Sequence, residues 1–284
     1  MLTLDPTLFL KFQKLIYDQT GLHFDERKQY FFVRRLEHRL EVAGSTNPQD
    51  YYQMLRYGNN GAVAELQALV ESLTTNETYF FREYPQLQSF ADVILPEVLE
   101  RKRRQSDYVL RLWSAGCSTG EEPYTLAIIL REVIEDFDRW QIYITATDIN
   151  RAVLQAAEDA LYGERSLKDV PTAYREKYFQ LEHPSTYAAE RQYQLQPAVR
   201  RMVKFRPANL MDLSVARGLG GQDFIFCRNV LIYFDEASTR QVVGGFYDAL
   251  RPGGYIFLGH SESMGRITSA FQMVRRGDVL VYMK

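Results

Sequence analysis

Apolar positions recur at helical spacing through the first quarter of the chain. Leu8, Phe9, Phe12, Leu15 and Ile16 share one face of a helix that Asp5 precedes and Gly21 ends. Asp25 is placed to cap a second helix. Asn59-Asn60-Gly61 reads as a loop, after which Val63, Leu66, Val70 and Leu73 return on one helical face. Nothing in residues 1–75 alternates as a strand would. Beyond Tyr108 the pattern changes. Short apolar runs over 109–113, 142–146, 223–227, 255–258 and 279–283 predict strands. Helices are predicted after Gly120, with Pro123 near the first turn, over 151–160 and over about 236–250, and Arg251-Pro252-Gly253-Gly254 stands between the last helix and its strand. Strands alternating with helices predict right-handed βαβ units and a doubly wound, mostly parallel α/β sheet.

Residues 161–205 break that rhythm with Pro171, Pro184, Pro197 and the alternating run Arg191-Gln192-Tyr193-Gln194-Leu195. They read as an inserted, partly antiparallel β-subdomain. The expected organisation is a helical domain over 1–75, a linker over 76–107, and an α/β domain over 108–284 that carries the insertion. Arg101-Lys102-Arg103-Arg104 reads as a solvated helix end.

Composition narrows the function classes. The 284 residues are 46% hydrophobic and 25% charged, which excludes a disordered chain. A net charge of −2 gives no bulk attraction to nucleic acid or anionic lipid. Apolar runs such as 230–234 are far shorter than the ~20 residues needed to span a bilayer. Asp5 and Pro6 come early, without the basic and apolar regions of a signal peptide. Two cysteines cannot build a disulfide framework, and the four histidines lack metal-ligand spacing. The expectation is a reduced, metal-free, cytoplasmic protein.

Candidate chemistry gathers where predicted strands end, the place where open parallel sheets bind ligands. The first strand runs into Ser114-Ala115-Gly116-Cys117-Ser118-Thr119-Gly120. A dinucleotide fingerprint needs G-x-G-x-x-G, but Ser118 holds the middle position and Glu121 and Glu122 follow at once. Carboxylates suit a helix N-terminus and would repel a pyrophosphate. The absence of a Gly-Lys-Ser/Thr sequence excludes a Walker loop. The ligand is expected to carry a positive group or donor hydroxyls. Asp148, after the second strand, stands where an acid accepts ribose hydroxyls, and equally where it would cap the helix over 151–160.

Longer strings then become recognisable. Thr74-Thr75-Asn76-Glu77-Thr78-Tyr79-Phe80-Phe81-Arg82-Glu83 resembles the T-T-N-x-T-x-F-F-R-E segment of bacterial chemotaxis receptor glutamate O-methyltransferases, the CheR family. The Ser114–Tyr124 stretch is similar to that family's glycine loop, and Thr147-Asp148-Ile149 to its ribose-binding acid. Phe226-Cys227-Arg228-Asn229-Val230-Leu231-Ile232-Tyr233-Phe234-Asp235 and Leu258-Gly259-His260-Ser261-Glu262-Ser263 resemble its C-R-N-V-x-I-Y-F and G-H-S-E motifs. The resemblance covers nearly the whole chain, in order.

It implies a Rossmann-like class I methyltransferase domain with an N-terminal all-helical domain and an inserted small antiparallel β-subdomain. The implied cofactor is S-adenosyl-L-methionine, leaving S-adenosyl-L-homocysteine. Its implied contacts are Asn76, Thr78, Arg82, Gly116, Glu122, Asp148, Asn209, Leu210, Arg228, Asn229 and Tyr233. The implied reaction is attack of a receptor glutamate carboxylate on a sulfonium methyl group, with a thioether leaving. A glutamate of pKa about 4.3 is already ionised at neutral pH, so no general base is needed. In that scheme Glu122 receives the methionyl ammonium or a nearby donor, and Asp148 the ribose hydroxyls. Asn209 and Leu210 meet the adenine. Arg82 and Arg228 balance carboxylate charge, and Tyr233 lines the transfer centre, which makes Arg82 and Tyr233 the catalytic candidates.

Plainer readings stand beside these. Taken alone, Tyr233 reads as a core tyrosine, Arg82 and Glu83 as a solvated pair, and Phe80 and Phe81 as packing residues. Cys117 and Cys227 read as buried, inert thiols, and His260 as a structural hydrogen-bonding residue.

For partners, Arg27, Lys28, Arg34, Arg35, His38 and Arg39 fall on one arc of the second helix, opposite Phe32, Val33, Leu36 and Leu40. Residues 27–39 hold five Lys or Arg against one acid, Glu37. A solvated face is the usual meaning of such a run. The resemblance implies instead that Arg27, Arg34, Arg35, His38 and Arg39 meet the acidic helical cytoplasmic region of methyl-accepting receptors. In some members of the family a receptor tail peptide also adds a strand to the β-subdomain. The alternatives are a methyltransferase for another protein or small acid, a non-catalytic cofactor-sensing module, and an NAD-dependent oxidoreductase, which the broken fingerprint disfavours.

Overall fold

The computed structural model describes residues 4–25, 28–183, 187 and 191–284, without the side chains of Asn60 and His183. The chain divides into two units, Met1–Thr75 with Ile232–Thr239, and Asn76–Leu231 with Arg240–Lys284.

The first unit is helical: α1 (Pro6–Thr20), α2 (Gln29–Val42), α3 (Pro48–Tyr57) and α4 (Asn60–Leu73). Asp5 caps α1 by accepting from the Leu8 N–H, and Gly21 closes it at φ 72°, where a side chain would be strained. Asn59 caps α4, so Asn60 and Gly61, expected in a loop, start a helix instead. Phe9, Phe12, Phe24, Phe32, Leu36 and Leu40 form the core, with Phe32 edge-on to Phe9 and Phe24. The 232–239 segment belongs to this unit. Phe234 bridges Leu22, the His23 N–H donates to the Tyr233 carbonyl (2.9 Å), and the Tyr17 hydroxyl donates to Asp235 (3.0 Å).

The second unit starts with α5 (Tyr84–Ser89), a π-turn and α6 (Leu95–Arg104). Then come β1 (Val109–Ala115), α7 (Glu121–Val133), β2 (Gln141–Asp148), α8 (Arg151–Asp159), β3 (Leu161–Gly163), α9 (Thr172–Tyr178), β4 (Phe179–His183) and β5 (Gln192–Leu195). The chain continues through α10 (Pro197–Arg200), β6 (Val203–Pro207), α11 (Leu213–Gly218), β7 (Gln222–Cys227), α12 (Glu236–Ala249), β8 (Leu250–Leu258), β9 (Gln272–Arg276) and β10 (Val279–Met283). Among the described residues, seven strands form one sheet in the order β6-β2-β1-β7-β8-β10-β9. The first five are parallel and β10 runs antiparallel to both its neighbours, β8 and β9, so the expected doubly wound, mostly parallel sheet is present. β3, β5 and β4 form the small antiparallel sheet.

The central strands are apolar, as befits parallel strands covered on both faces, while the outer β2 and β6 carry exposed residues. Every residue of β7 is buried, and Phe226 stacks on Phe257 of β8 with centroids 4.3 Å apart. From β1 the chain winds outward through β2 to β6, then returns to β7 on the other side of β1. That reversal falls between β1 and β7, so Ala115 and Cys227, their carboxyl ends, mark the place where folds of this type bind ligands.

Three local readings are corrected. The 251–254 stretch lies inside β8, where Gly253 takes φ 73° and the register against β7 shifts between Gln222 and Phe224. Val203 onward belongs to the main sheet rather than to the insertion, because Ile144 pairs with Val203. The 101–104 charge run is not simply solvated. Lys102 is 1% exposed and pairs with Asp107 (2.8 Å) and Asp223 (3.0 Å), and Arg101 donates to the Gly253 carbonyl.

Candidate active site

Backbone geometry builds the site first. Gly116 takes φ 77°, and a Cβ there would stand 2.4 Å from Val230 Cγ2, so the loops after β1 and β7 fit only around a glycine. Gly120 takes φ 94°, with Ala157 and Tyr162 where its side chain would go. Ser118, in place of the middle glycine, occupies the left-handed region at φ 50°. Its N–H donates to Asp148 Oδ2 at 2.8 Å, and its hydroxyl donates to the Asn76 carbonyl at 3.4 Å.

Asp148 closes β2, and its Oδ1 accepts from the Asn150 N–H (2.9 Å). Capping of α8 falls to Asn150, whose side chain accepts from Ala152 and Val153. That removes capping as the reason for an acid at position 148. Asn209 shapes the turn after β6, accepting from the Met211 N–H, with Leu210 half-buried beside it.

The charged centre is a chain of carboxylates around one guanidinium. Arg228, one residue past β7, has a side chain 3% exposed. Its Nη1 lies 3.2 Å from Glu122 and its Nη2 3.3 Å from Glu83. Nη2 also donates to the Arg82 carbonyl, and the buried Nε meets no acceptor among the described residues. Ser114 donates to the other oxygen of Glu122 (2.7 Å). Burial pushes the Glu122 carboxyl above its ordinary pKa, against the opposing pull of Arg228 and Ser114. Glu121 is likewise raised by burial, against hydrogen bonds from Thr119 and Ser166. A desolvated carboxylate gains most from a cation that binds beside it.

Asn229 takes φ 60°, and its side-chain amide lies 3.5 Å from Glu83. Glu262 accepts the Asn229, Val230 and Gly259 N–H groups at 2.7–2.8 Å. Glu83 and Glu262 were not among the expected site residues. Each was visible only as the last residue of a motif, with no local pattern to assign it a role. His260 is exposed, so the glutamate of that motif and not its histidine makes the hydrogen bonds seen among the described residues.

Other expected residues fall elsewhere. Arg82 is not paired with Glu83. Its guanidinium donates to the Glu77 carbonyl (2.7 Å) and lies over the Tyr79 ring. Thr78 is half-buried in the same segment. Phe80 and Phe81 are buried packing residues, as expected, with Phe80 edge-on to Tyr162 and Phe179. Burial raises the Cys117 and Cys227 thiols well above their usual range and keeps them inert. Tyr233, half-buried, sits in the 232–239 segment with Lys28 5.6 Å from its ring.

On α2, Arg34, Arg35 and His38 are exposed opposite buried Phe32, Leu36 and Leu40. Arg39 departs from that group. It forms a two-pronged pair with Glu65, which Tyr51 also contacts, so it braces the helical unit. Arg27 lies outside the described residues.

Comparison with known proteins follows the division into units. Residues 7–74 match the family model of the CheR methyltransferase all-alpha domain, and residues 76–279 that of the CheR methyltransferase SAM binding domain. The chain belongs to the CheR methyltransferase family. Chemotaxis protein methyltransferase 2 of Vibrio cholerae is 40% identical over 274 residues, covering 96% of this chain and 91% of that one. The chemotaxis protein methyltransferase of Escherichia coli is 33% identical over 96% of this chain and 90% of its own. Chemotaxis protein methyltransferase 1 of Pseudomonas aeruginosa is 31% identical over 96% of each.

This CheR-family chain is therefore a methyltransferase of the chemotaxis group, with S-adenosylmethionine as its cofactor. The donor set suits that cofactor. The side chains of Glu122 and Asp148, which as carboxylates accept and do not donate, stand by the carboxyl ends of β1 and β2 and match an ammonium and ribose hydroxyls. No helix among the described residues is long and apolar enough to cross a membrane.

Proposed function

We propose that this CheR-family chain esterifies glutamate side chains in the cytoplasmic helical region of chemotaxis receptors, and that it works in the cytoplasm. The end-to-end likeness to chemotaxis methyltransferases carries this reading. When bound, S-adenosylmethionine supplies an electrophilic methyl group. The chain's own residues orient it and keep water away.

Glu122 accepts from the methionyl ammonium. Asp148 accepts the ribose hydroxyls while its other hydrogen bonds hold the Ser118 loop in shape. Asn76, Thr78 and Gly116 line the cofactor, and Asn209 and Leu210 meet the adenine. Arg228 and Asn229, fixed among Glu83, Glu122 and Glu262, neutralise and orient carboxylate groups. Arg82, half-exposed, is assigned to the incoming glutamate. Because that glutamate arrives ionised at neutral pH, the site needs position and desolvation rather than a base.

The exposed Arg34, Arg35 and His38 of α2 supply a cationic face for an acidic helical partner in a chain of net charge −2. The decisive experiment offers labelled S-adenosylmethionine and purified receptor cytoplasmic fragments to the enzyme. Base-labile label in the fragment is the expected result. Normal binding of S-adenosylhomocysteine with no transfer to any of several receptors would replace this reading with a methyltransferase for another protein or small acid.

A further inference from the structure

We propose that Glu262 is a positioning residue that sets the turn carrying Arg228 and Asn229 for cofactor binding. The inference rests on the reading above, that this turn meets S-adenosylmethionine. β7 and β8 are parallel neighbours whose last paired residues are Cys227 and Leu258. Past that point the Gly259 N–H on one chain and the Asn229 and Val230 N–H groups on the other turn to a side-chain acceptor. One carboxylate serves both. Glu262 Oε2 accepts from Asn229 (2.8 Å) and Gly259 (2.7 Å), and Oε1 accepts from Val230 (2.8 Å). Three backbone donors on one carboxylate form a strong, directional clamp.

Two further observations show that the clamp shapes the turn. Asn229 takes φ 60°, the left-handed region that asparagine enters more readily than other side-chain-bearing residues, so the turn is tight at this point. At Gly259, a Cβ would stand 2.8 Å from Asn229 Nδ2, 2.9 Å from Asn229 N and 2.9 Å from Glu262 Oε2. The Glu262 N–H closes its own turn on the Gly259 carbonyl (2.9 Å). The Gly-His-Ser-Glu string thus has a division of labour. Its glycine permits close approach, its glutamate supplies the acceptors, and His260 and Ser261 face outward. One residue before Asn229, the Arg228 guanidinium lies between Glu83 and Glu122. A slip of the turn therefore moves the charged centre.

Glu262→Gln tests this with little change of shape. It keeps one acceptor and turns an amide NH₂ toward a backbone donor. The Kd for S-adenosylhomocysteine, by calorimetry, is expected to rise about tenfold or more. The KM for a receptor fragment, measured at saturating S-adenosylmethionine, should stay within about twofold of wild type. Combined with Arg228→Lys, the loss should be less than the product of the single losses, because both act through one guanidinium. His260→Ala is the control and should bind normally.

Unchanged affinity in Glu262→Gln, or fully multiplicative losses, would overturn the proposal. If Glu262→Gln does not fold, Glu262→Asp takes its place. The shortened carboxylate cannot span both strand ends, so weakened binding supports the clamp and wild-type affinity overturns it. A wild-type protein that failed to bind S-adenosylhomocysteine would overturn the underlying reading instead.

Discussion

Asp148 offers the most direct measure of the cofactor assignment. The structure gives its carboxylate two backbone donors, the Ser118 and Asn150 N–H groups at 2.8 and 2.9 Å. These residues are 9% and 4% exposed, so water replaces a lost acceptor poorly. Asp148→Ala should therefore cost roughly 2 kcal/mol of stability, about 1 kcal/mol for each donor left unmade. The ribose contact is a separate loss. A hydrogen bond to a charged acceptor contributes about 1.5–3 kcal/mol, which corresponds to a rise in Kd of about 10- to 150-fold. Asp148→Asn keeps one acceptor, so it should lose less stability than the alanine variant while still binding weakly. The assay pairs calorimetry with S-adenosylhomocysteine and thermal unfolding without ligand. A folded Asp148→Asn variant that binds at wild-type affinity would refute the ribose role, whatever its stability.

The remaining predictions concern the charged elements. Lys102→Met should destabilise the α/β unit by about 3 kcal/mol in denaturant titration, the low end for breaking a buried pair. Arg251 still contacts both Asp107 and Asp223, which is why the low end applies. Burial works to raise the Asp107 carboxyl, but hydrogen bonds from Lys102, the Val109 N–H and Arg251 outweigh it and hold its pKa at about 2. The folded value is below the unfolded one, so this stabilisation is fully present above about pH 4 and fades as pH falls toward 2. Unfolding followed from pH 6 to pH 2 should show that loss, and Lys102→Met should flatten it. Reversing Arg34 and Arg35 to Glu should raise the KM for a receptor fragment by more than it changes cofactor affinity, most strongly at low salt. Arg39→Glu should instead lower the melting temperature of the helical unit, because it sets two carboxylates together at Glu65. Equal effects of the Arg34/Arg35 reversal on receptor KM and cofactor Kd would remove the docking role of α2.

Local pattern determined a good deal of this protein. Helical periodicity marked α1 and the buried face of α2, and the apolar runs marked β1, β2 and β7. Those signals lie within a few residues of one another and follow from side-chain direction along a helix or strand. The motif strings likewise placed Gly116, Glu122, Asp148 and Arg228 at strand ends. Tertiary structure decided what depends on residues far apart. Lys102 looked solvated until Asp223, 121 positions later, met it in the interior. Arg39 looked like part of a docking face until Glu65 claimed it. Glu262 had no reason to matter until β7 and β8 ended side by side and left three N–H groups needing an acceptor. A charge shows its sign in the sequence, but its partner and its dielectric surroundings exist only after folding.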